Sequence, residues 1–132
     1  MESSFRNFCN NARQDQNGYT LRIQDVNTQR GQINFVFTDK YGELHFTFEY
    51  DYQTNNYFRI LLWGNGNEFD DDINNYRRIT QLTTRYKVAK CSIINNRLCF
   101  SAESYVVSRL GVENIFHQFI IILREMFIEY YK

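Results

Sequence analysis

Two histidines and three cysteines are the side chains of this 132-residue chain best suited to acid–base or nucleophilic chemistry. A catalytic cysteine needs a histidine within hydrogen-bond reach, and a zinc site needs several Cys or His ligands at short spacing. The histidines are His45 and His117, and the cysteines are Cys9, Cys91 and Cys99. No CxxC pair occurs, and nothing in the spacing brings a thiol to a histidine. We therefore interpret the cysteines as buried thiols, as free cysteines commonly are, and predict neither a catalytic residue nor a metal ligand.

The stretch 64–72 is the other place where a ligand is conceivable. Residues 64–67 read Gly-Asn-Gly-Asn ahead of a predicted helix, and backbone amides at such a turn can bind phosphate. Neither GxxxxGK[ST] nor a full GxGxxG is present, and the carboxylates of residues 70–72 follow. Consecutive helical side chains point about 100° apart, so three of them do not easily converge on one metal ion. We interpret this stretch as a strand-to-helix turn with favourable negative charge at the helix start, and we predict no cofactor.

Composition argues against two further classes of partner. Fifteen basic and fifteen acidic residues balance to a net charge of zero, which argues against a nucleic-acid or membrane-surface role. The arginines at 77, 78 and 85 are interpreted as a solvated helix face rather than a basic patch. The longest apolar run, residues 119–123, falls far short of the roughly 20 residues that span a bilayer, and no signal peptide is recognised. We expect a soluble, cytoplasmic protein.

The first half of the chain predicts one helix followed by four strands. Phe5, Phe8, Cys9 and Ala12 lie on one side of a helix within residues 1–16, with Ser3 or Ser4 as its cap. Alternating apolar and polar residues then predict strands at 19–24, 33–38, 44–50 and 57–63, and short connections favour an antiparallel meander. The fourth strand is apolar on both sides, which predicts cover on both faces. His45 is expected on the outer face of the sheet beside Glu49 and Thr47.

The second half predicts a helix, a hairpin and a long final helix. The first of these helices presents one apolar side made of Ile73, Tyr76, Ile79, Leu82 and Tyr86. Strands 88–94 and 97–101 join through Asn95-Asn96, a good two-residue turn. That turn pairs Cys91 with Phe100 and Ser92 with Cys99, so Cys91 and Cys99 point to opposite sides and do not form a disulfide. An apolar connector, Tyr105 to Leu110, leads to the last helix.

The last helix begins after Gly111 and carries the strongest pattern in the chain. Its apolar stripe consists of Val112, Phe116, Phe119, Leu123, Met126 and Tyr130, widened by Ile115, Ile122 and Phe127. Ile121 and Ile128 fall near the middle of its polar side. They are either isolated surface apolar residues or a second contact surface, which would include His117 and Arg124.

Together these elements predict a single α+β domain over residues 1–132. The order is α-β-β-β-β-α-β-β-α, with an antiparallel sheet made of a four-strand meander and a C-terminal hairpin. The helices are expected to pack on one face of this sheet.

The second half of the chain resembles the YbjN-like family, whose fold is related to that of type III secretion chaperones. The resemblance covers residues 73–131, and the first half matches in element order only. Its motifs are the helix ending in Thr84-Arg85-Tyr86, the strand KVAKC of residues 87–91, the turn Asn95-Asn96, residues 98–103, the segment VSRLGVE of residues 107–113, and the phenylalanine-rich last helix. The resemblance implies a dimeric α+β domain with a regulatory or chaperone-like binding role and no catalytic residues.

Three hypotheses for function follow. The first is a non-enzymatic protein-binding module, a homodimer that also binds an unidentified protein. The second is a small-molecule-binding domain, or an enzyme with an unrecognised site. The third is a structural or assembly subunit.

Overall fold

The computed structural model describes residues 1–54, 56–66 and 69–132, and within these ranges six strands form one antiparallel sheet. The elements are α1 (Glu2–Asn11), α2 (Gln14–Asn17), β1 (Thr20–Asn27), β2 (Gln32–Asp39), β3 (Gly42–Tyr50), β4 (Tyr57–Trp63), α3 (Ile73–Arg85), β5 (Lys90–Ile94), β6 (Arg97–Tyr105) and α4 (Val112–Tyr130). The α+β class, the four-strand meander and the hairpin are confirmed. The short helix α2 is an addition to the predicted order.

The order of strands in the sheet is β1-β2-β3-β4-β6-β5. The second strand of the hairpin, β6, therefore lies beside β4, and the first strand, β5, forms the edge. This arrangement keeps the β4–β6 pair antiparallel, whereas β5 beside β4 would have run parallel to it. The sequence pattern alone left this choice open.

The hairpin has the predicted register. Asn95 and Asn96 both adopt positive φ, 51° and 62°, which is the backbone of a type I′ turn. Cys91 pairs with Phe100, and Ser92 pairs with Cys99. The two cysteines accordingly point to opposite sides of the sheet, and all three thiols are unpaired and buried.

An aromatic cluster forms the centre of the core, between one face of the sheet and the helices. Phe5 of α1 stacks on Phe48 of β3 with ring centroids 3.9 Å apart. The same ring meets Phe35 edge-on at 4.9 Å and Phe116 of α4 at 5.4 Å. Phe116 in turn packs edge-on against Phe58 of β4 at 4.9 Å. α1 and α4 thus dock on the same side of the meander.

The buried side of α4 differs from the predicted stripe by a small rotation. The buried residues are Val112, Phe116, Ile120, Leu123, Met126 and Tyr130. Ile120 is fully buried while Phe119 is half-buried, and Ile121 packs against the core although it was expected on the polar side. Because α1 and α3 flank this helix as well as the sheet beneath it, more of its circumference is covered than a one-sided contact would require.

Three other predictions about the helices and connectors were wrong in detail. α1 ends at Asn11 instead of continuing to residue 16, and no side chain caps its start, so neither Ser3 nor Ser4 has that role. In α3 only Leu82 is buried, while Ile73 at its start is 67% exposed. The connector 105–110 buries only Val106, and its other apolar side chains face solvent.

Candidate binding face of the sheet

One face of the sheet is covered by helices and the opposite face is not, within the ranges that the structure describes. Phe5, Phe116 and Leu82 place α1, α4 and α3 on the same side, in one continuous core. We call the opposite side the open face. Alternation along each strand assigns its residues, because successive side chains point to opposite sides of a sheet. The prediction that helices pack on one face is confirmed.

The expectation that both faces of the fourth strand, β4, are covered was wrong. Leu61 and Trp63 of β4 point to the open face, where no described helix covers them. Leu61 is nevertheless only 1% exposed, because it lies in the centre of the sheet between Thr47 of β3 and Ser101 of β6. Lateral crowding by neighbouring strands, rather than a second layer, buries this side chain.

A chain of hydrogen bonds crosses four strands of the open face. Trp63 Nε1 donates to Thr47 Oγ1 at 2.9 Å, and Thr47 Oγ1 donates to Asn34 Oδ1 at 2.6 Å. Asn34 Nδ2 then donates to Asp25 Oδ1 at 2.8 Å. These bonds fix the orientation of the Trp63 ring and of the Asn34 amide.

Charged side chains form a second row on the same face. Arg59 Nη2 donates to both carboxylate oxygens of Glu49, at 2.9 and 3.2 Å. Tyr57 donates a hydrogen bond to Glu103, and Lys90 Nζ lies 3.7 Å from the same carboxylate. The bond from Tyr57, followed by the charge of Lys90, holds the pKa of Glu103 below its usual value. Burial, and then this bond, raise the pKa of Tyr57 to about 12. Each carboxylate in this row therefore has a cationic partner.

Arg97 differs from Arg59 and Lys90, the two cations that pair with carboxylates of the open face. Its guanidinium lies over the Trp63 ring, 5.2 Å from the centroid, and Nη2 donates to the Gly64 carbonyl at 3.1 Å. No carboxylate of the described residues forms an ion pair with it. Its Nε is buried and has no hydrogen-bond partner in the same ranges. Among the residues that the structure describes, nothing compensates the positive charge that Arg97 places beside this aromatic ring.

These groups surround a hollow of about 400 Å³ on the open face. Its lining consists of Gln24, Gln32, Asn34, His45, Phe46, Thr47, Glu49, Trp63 and Arg97. Gln24 occupies the position where the β1–β2 register shifts between Ile23 and Asp25, and such a bulge bends the strand and redirects its side chains. Gln24, Gln32 and His45 make no side-chain hydrogen bond within the described residues. Their donors and acceptors remain available to a ligand.

The surface predicted on α4 has a different character. His117 Nδ1 and the Tyr19 hydroxyl share a hydrogen bond of 2.7 Å. Arg124 forms an ion pair with Asp39: its Nε donates to Oδ2 at 2.8 Å, and its Nη2 lies 2.7 Å from the same oxygen. Ile121 is half-buried against the core, and Ile128 is 46% exposed. Tyr19, just before β1, and Asp39, at the end of β2, lie beside this stripe of α4, so three of these four residues have partners within the chain. Whether Ile128 and its surroundings contact another molecule stays a prediction.

The histidines and thiols do not form a nucleophilic pair. His45 of β3 and Cys99 of β6 both lie on the open face as expected, but β4 separates their strands by two strand spacings of about 4.8 Å each. Burial raises the pKa of Cys9, Cys91 and Cys99 to about 12. Thiols of this kind are protonated at neutral pH and do not supply a thiolate.

The stretch 64–72 is explained largely by packing and helix capping. A Cβ on Gly64 would lie 2.6 Å from the Tyr131 hydroxyl, and the Asn65 amide donates to that hydroxyl at 3.0 Å. Asp72 caps α3 by accepting from the Asn74 amide at 2.7 Å, as favourable charge at a helix start would predict. The predicted phosphate-binding turn comprised residues 64–67, and its last residue, Asn67, lies outside the described residues. Within the described ranges no three His, Cys, Asp or Glu side chains converge.

Sequence reasoning missed most of the residues around the hollow. Arg97 was noticed only as a member of the hairpin, and Trp63 only as part of a strand apolar on both sides. The polar positions of the alternating strands were a usable signal, because they all had to share one face. Which of them became neighbours depended on the register between strands distant in sequence.

The comparisons with known proteins add no relative: no family model, no curated protein and no solved structure matches this chain. No helix in the described ranges is long and apolar enough to cross a bilayer.

Proposed function

We propose that this protein is a non-enzymatic protein-binding module and that a segment of its partner lies on the open face. One observation carries the proposal: the helices bury one side of the sheet, while the other side has a hollow of about 400 Å³ that no helix of the described residues covers. Trp63 and Arg97 line this hollow, and these residue types are enriched among the side chains that contribute most to protein–protein affinity.

The chemistry of the hollow suits a peptide. Gln24, Gln32 and His45 offer both donors and acceptors, which match the alternating N–H and C=O groups of an extended backbone. The hydrogen bonds through Thr47 and Asn34 hold the walls in place before binding, which limits the entropy lost on association.

Capture from native extract with two matched bait variants tests the use of the open face. Gln24→Trp places a bulky ring in the hollow, whereas Gln118→Trp makes the same change on the exposed side of α4. Both original side chains are exposed, so both variants are expected to fold. A partner lost by Gln24→Trp and kept by Gln118→Trp supports the proposal. A partner that both variants retain would place binding elsewhere.

The proposal includes a homodimer with a regulatory or chaperone-like role in the cytoplasm. The resemblance of residues 73–131 to the YbjN-like family supports the dimer and the role. The three unpaired thiols are in keeping with a reducing compartment.

The dimer surface is proposed around Ile128, beside a second hollow of about 160 Å³ between α4 and the β2–β3 turn. Light scattering should then give twice the 16.0 kDa of one chain. Ile128→Asp should lower the mass to that of a monomer, and the control Val107→Asp, at a fully exposed position, should not. A monomeric wild-type protein would remove the dimer from the proposal, and a dimer that survives Ile128→Asp would remove this surface.

A small-molecule site is the second candidate, favoured by the volume of the open-face hollow. Pockets for small ligands begin at about 300 Å³.

A further inference from the structure

We propose that the partner segment carries an acidic side chain whose carboxylate binds Arg97 in the hollow of the open face. This inference rests on the proposed function and specifies the chemistry of the partner: an extended peptide with aspartate or glutamate at the position above Trp63.

Charge is the first argument. The hollow contains two formally charged side chains, Glu49 and Arg97, within the described residues. Glu49 is compensated by Arg59, which contacts both of its oxygens. Arg97 has no such partner in those ranges, so the charge left to complement in the hollow is positive. A partner side chain that neutralises the charge of Arg97 must be an anion.

The second argument is the way in which Arg97 is held. The Trp63 ring supports its guanidinium from one side, and the Gly64 carbonyl accepts from Nη2 at 3.1 Å. Trp63 is fixed in turn by its bond to Thr47. The contact with the ring and the single backbone hydrogen bond restrict the Arg97 guanidinium without using all five of its N–H donors. A carboxylate arriving in the hollow therefore meets an arginine whose rotamer is already restricted.

The third argument concerns specificity for a peptide rather than for any anion. Gln24 and Gln32 line the same hollow and have no side-chain partners in the described ranges. Amide side chains bind peptide groups through paired donors and acceptors, and a free carboxylic acid would leave them to water. A peptide is therefore expected to bind more tightly than its isolated acidic group.

The experiment uses Trp63, which is the only tryptophan in the chain, as the reporter. The probes are two degenerate nonapeptide pools that lack Trp and Tyr and differ at the central residue, which is Glu in one pool and Gln in the other. Free glutarate is the third probe. Each is titrated into the full-length protein while Trp63 emission is recorded.

The Glu pool should bind at least about tenfold more tightly than the Gln pool, because a hydrogen bond to a charged group contributes more than about one decade of affinity. Arg97→Gln should abolish this difference. The matched control Arg22→Gln, an exposed position of the open face outside the hollow, should preserve it. The comparison of the two pools on the wild-type protein does not depend on the folding of either variant.

The outcomes separate the inference from the proposed function. Equal binding of the Glu and Gln pools would overturn the acidic partner and leave the open face as a protein-binding surface. Binding of glutarate as tight as that of the Glu pool would overturn the peptide in favour of a small acid. Unchanged emission with all three probes would overturn the inference and count against the open face itself.

Discussion

Replacing Phe5 by alanine tests whether α1 belongs to the same cooperative core as the sheet. The Phe5 side chain is fully buried and contacts Phe48, Phe35 and Phe116. Burial of a phenylalanine removes about 150–250 Å² from water, which at about 25 cal/mol per Å² corresponds to about 4–6 kcal/mol as an upper bound. Measured Phe→Ala changes in cores cost about 3–5 kcal/mol. We expect Phe5→Ala to lower the free energy of unfolding by about 4 kcal/mol, a large fraction of the roughly 5–15 kcal/mol of a typical domain.

Urea unfolding followed by Trp63 emission measures this loss. Trp63 lies in β4, so its signal reports on the sheet rather than on α1. With a denaturant slope of about 2 kcal/mol per molar, the midpoint should fall by about 2 M. Val107→Ala, at a fully exposed position, should leave the free energy within about 0.5 kcal/mol of wild type. A loss below about 1 kcal/mol in Phe5→Ala would mean that α1 detaches without unfolding the sheet, and the proposed organisation of the core would be refuted.

Two further predictions concern the backbone and pH. Gly31 has a φ of +63°, and a Cβ there would lie 2.3 Å from the Tyr50 carbonyl oxygen, so Gly31→Ala should destabilise the protein by about 2–3 kcal/mol. Gly18→Ala, with a φ of +84° and open space around it, should cost only about 1 kcal/mol in the same urea assay, and equal losses would disprove the close contact. The buried thiols have their pKa raised from 9.0 to about 12, so the native state holds these protons more tightly than the unfolded state. The contribution of the protonated thiols to the free energy of unfolding should therefore be intact below pH 9 and fall as the pH rises towards 12. Cys99→Ala should reduce the slope of this fall by up to about 1.4 kcal/mol per pH unit. Identical pH profiles for Cys99→Ala and wild type would contradict the burial of that thiol.

The elements that the sequence predicted well are those with local causes. The Asn95-Asn96 turn requires positive φ at both residues, which asparagine tolerates, and this turn alone sets the hairpin register. The boundaries of β4 were predicted without error, because alternation and length leave little choice over seven residues. Elements whose limits depend on neighbours were predicted less well, as α1 and the N-terminal half of α3 illustrate.

In the candidate site, too, features with local causes were predicted and features that depend on distant strands were not. His45, Thr47 and Glu49 were placed on the outer face from alternation within one strand. The proximity of Arg97 to Trp63 could not be inferred in this way, because it depends on β6 rather than β5 pairing with β4. Likewise, the prediction of a surface on α4 did not include Asp39 and Tyr19. They contact Arg124 and His117, but they are too distant from the helix in sequence for these contacts to be inferred.

By itself the sequence determined the class of fold, the inward side of the regularly alternating strands, and the separation of Cys91 from Cys99, because periodicity and turn chemistry act over a few residues. Only the tertiary structure decided which polar residues meet. Strand order and a one-residue bulge in β1 brought Arg97, the single tryptophan and three polar side chains together on the open face. Long-range pairing sets such neighbours, and no short window of sequence contains it.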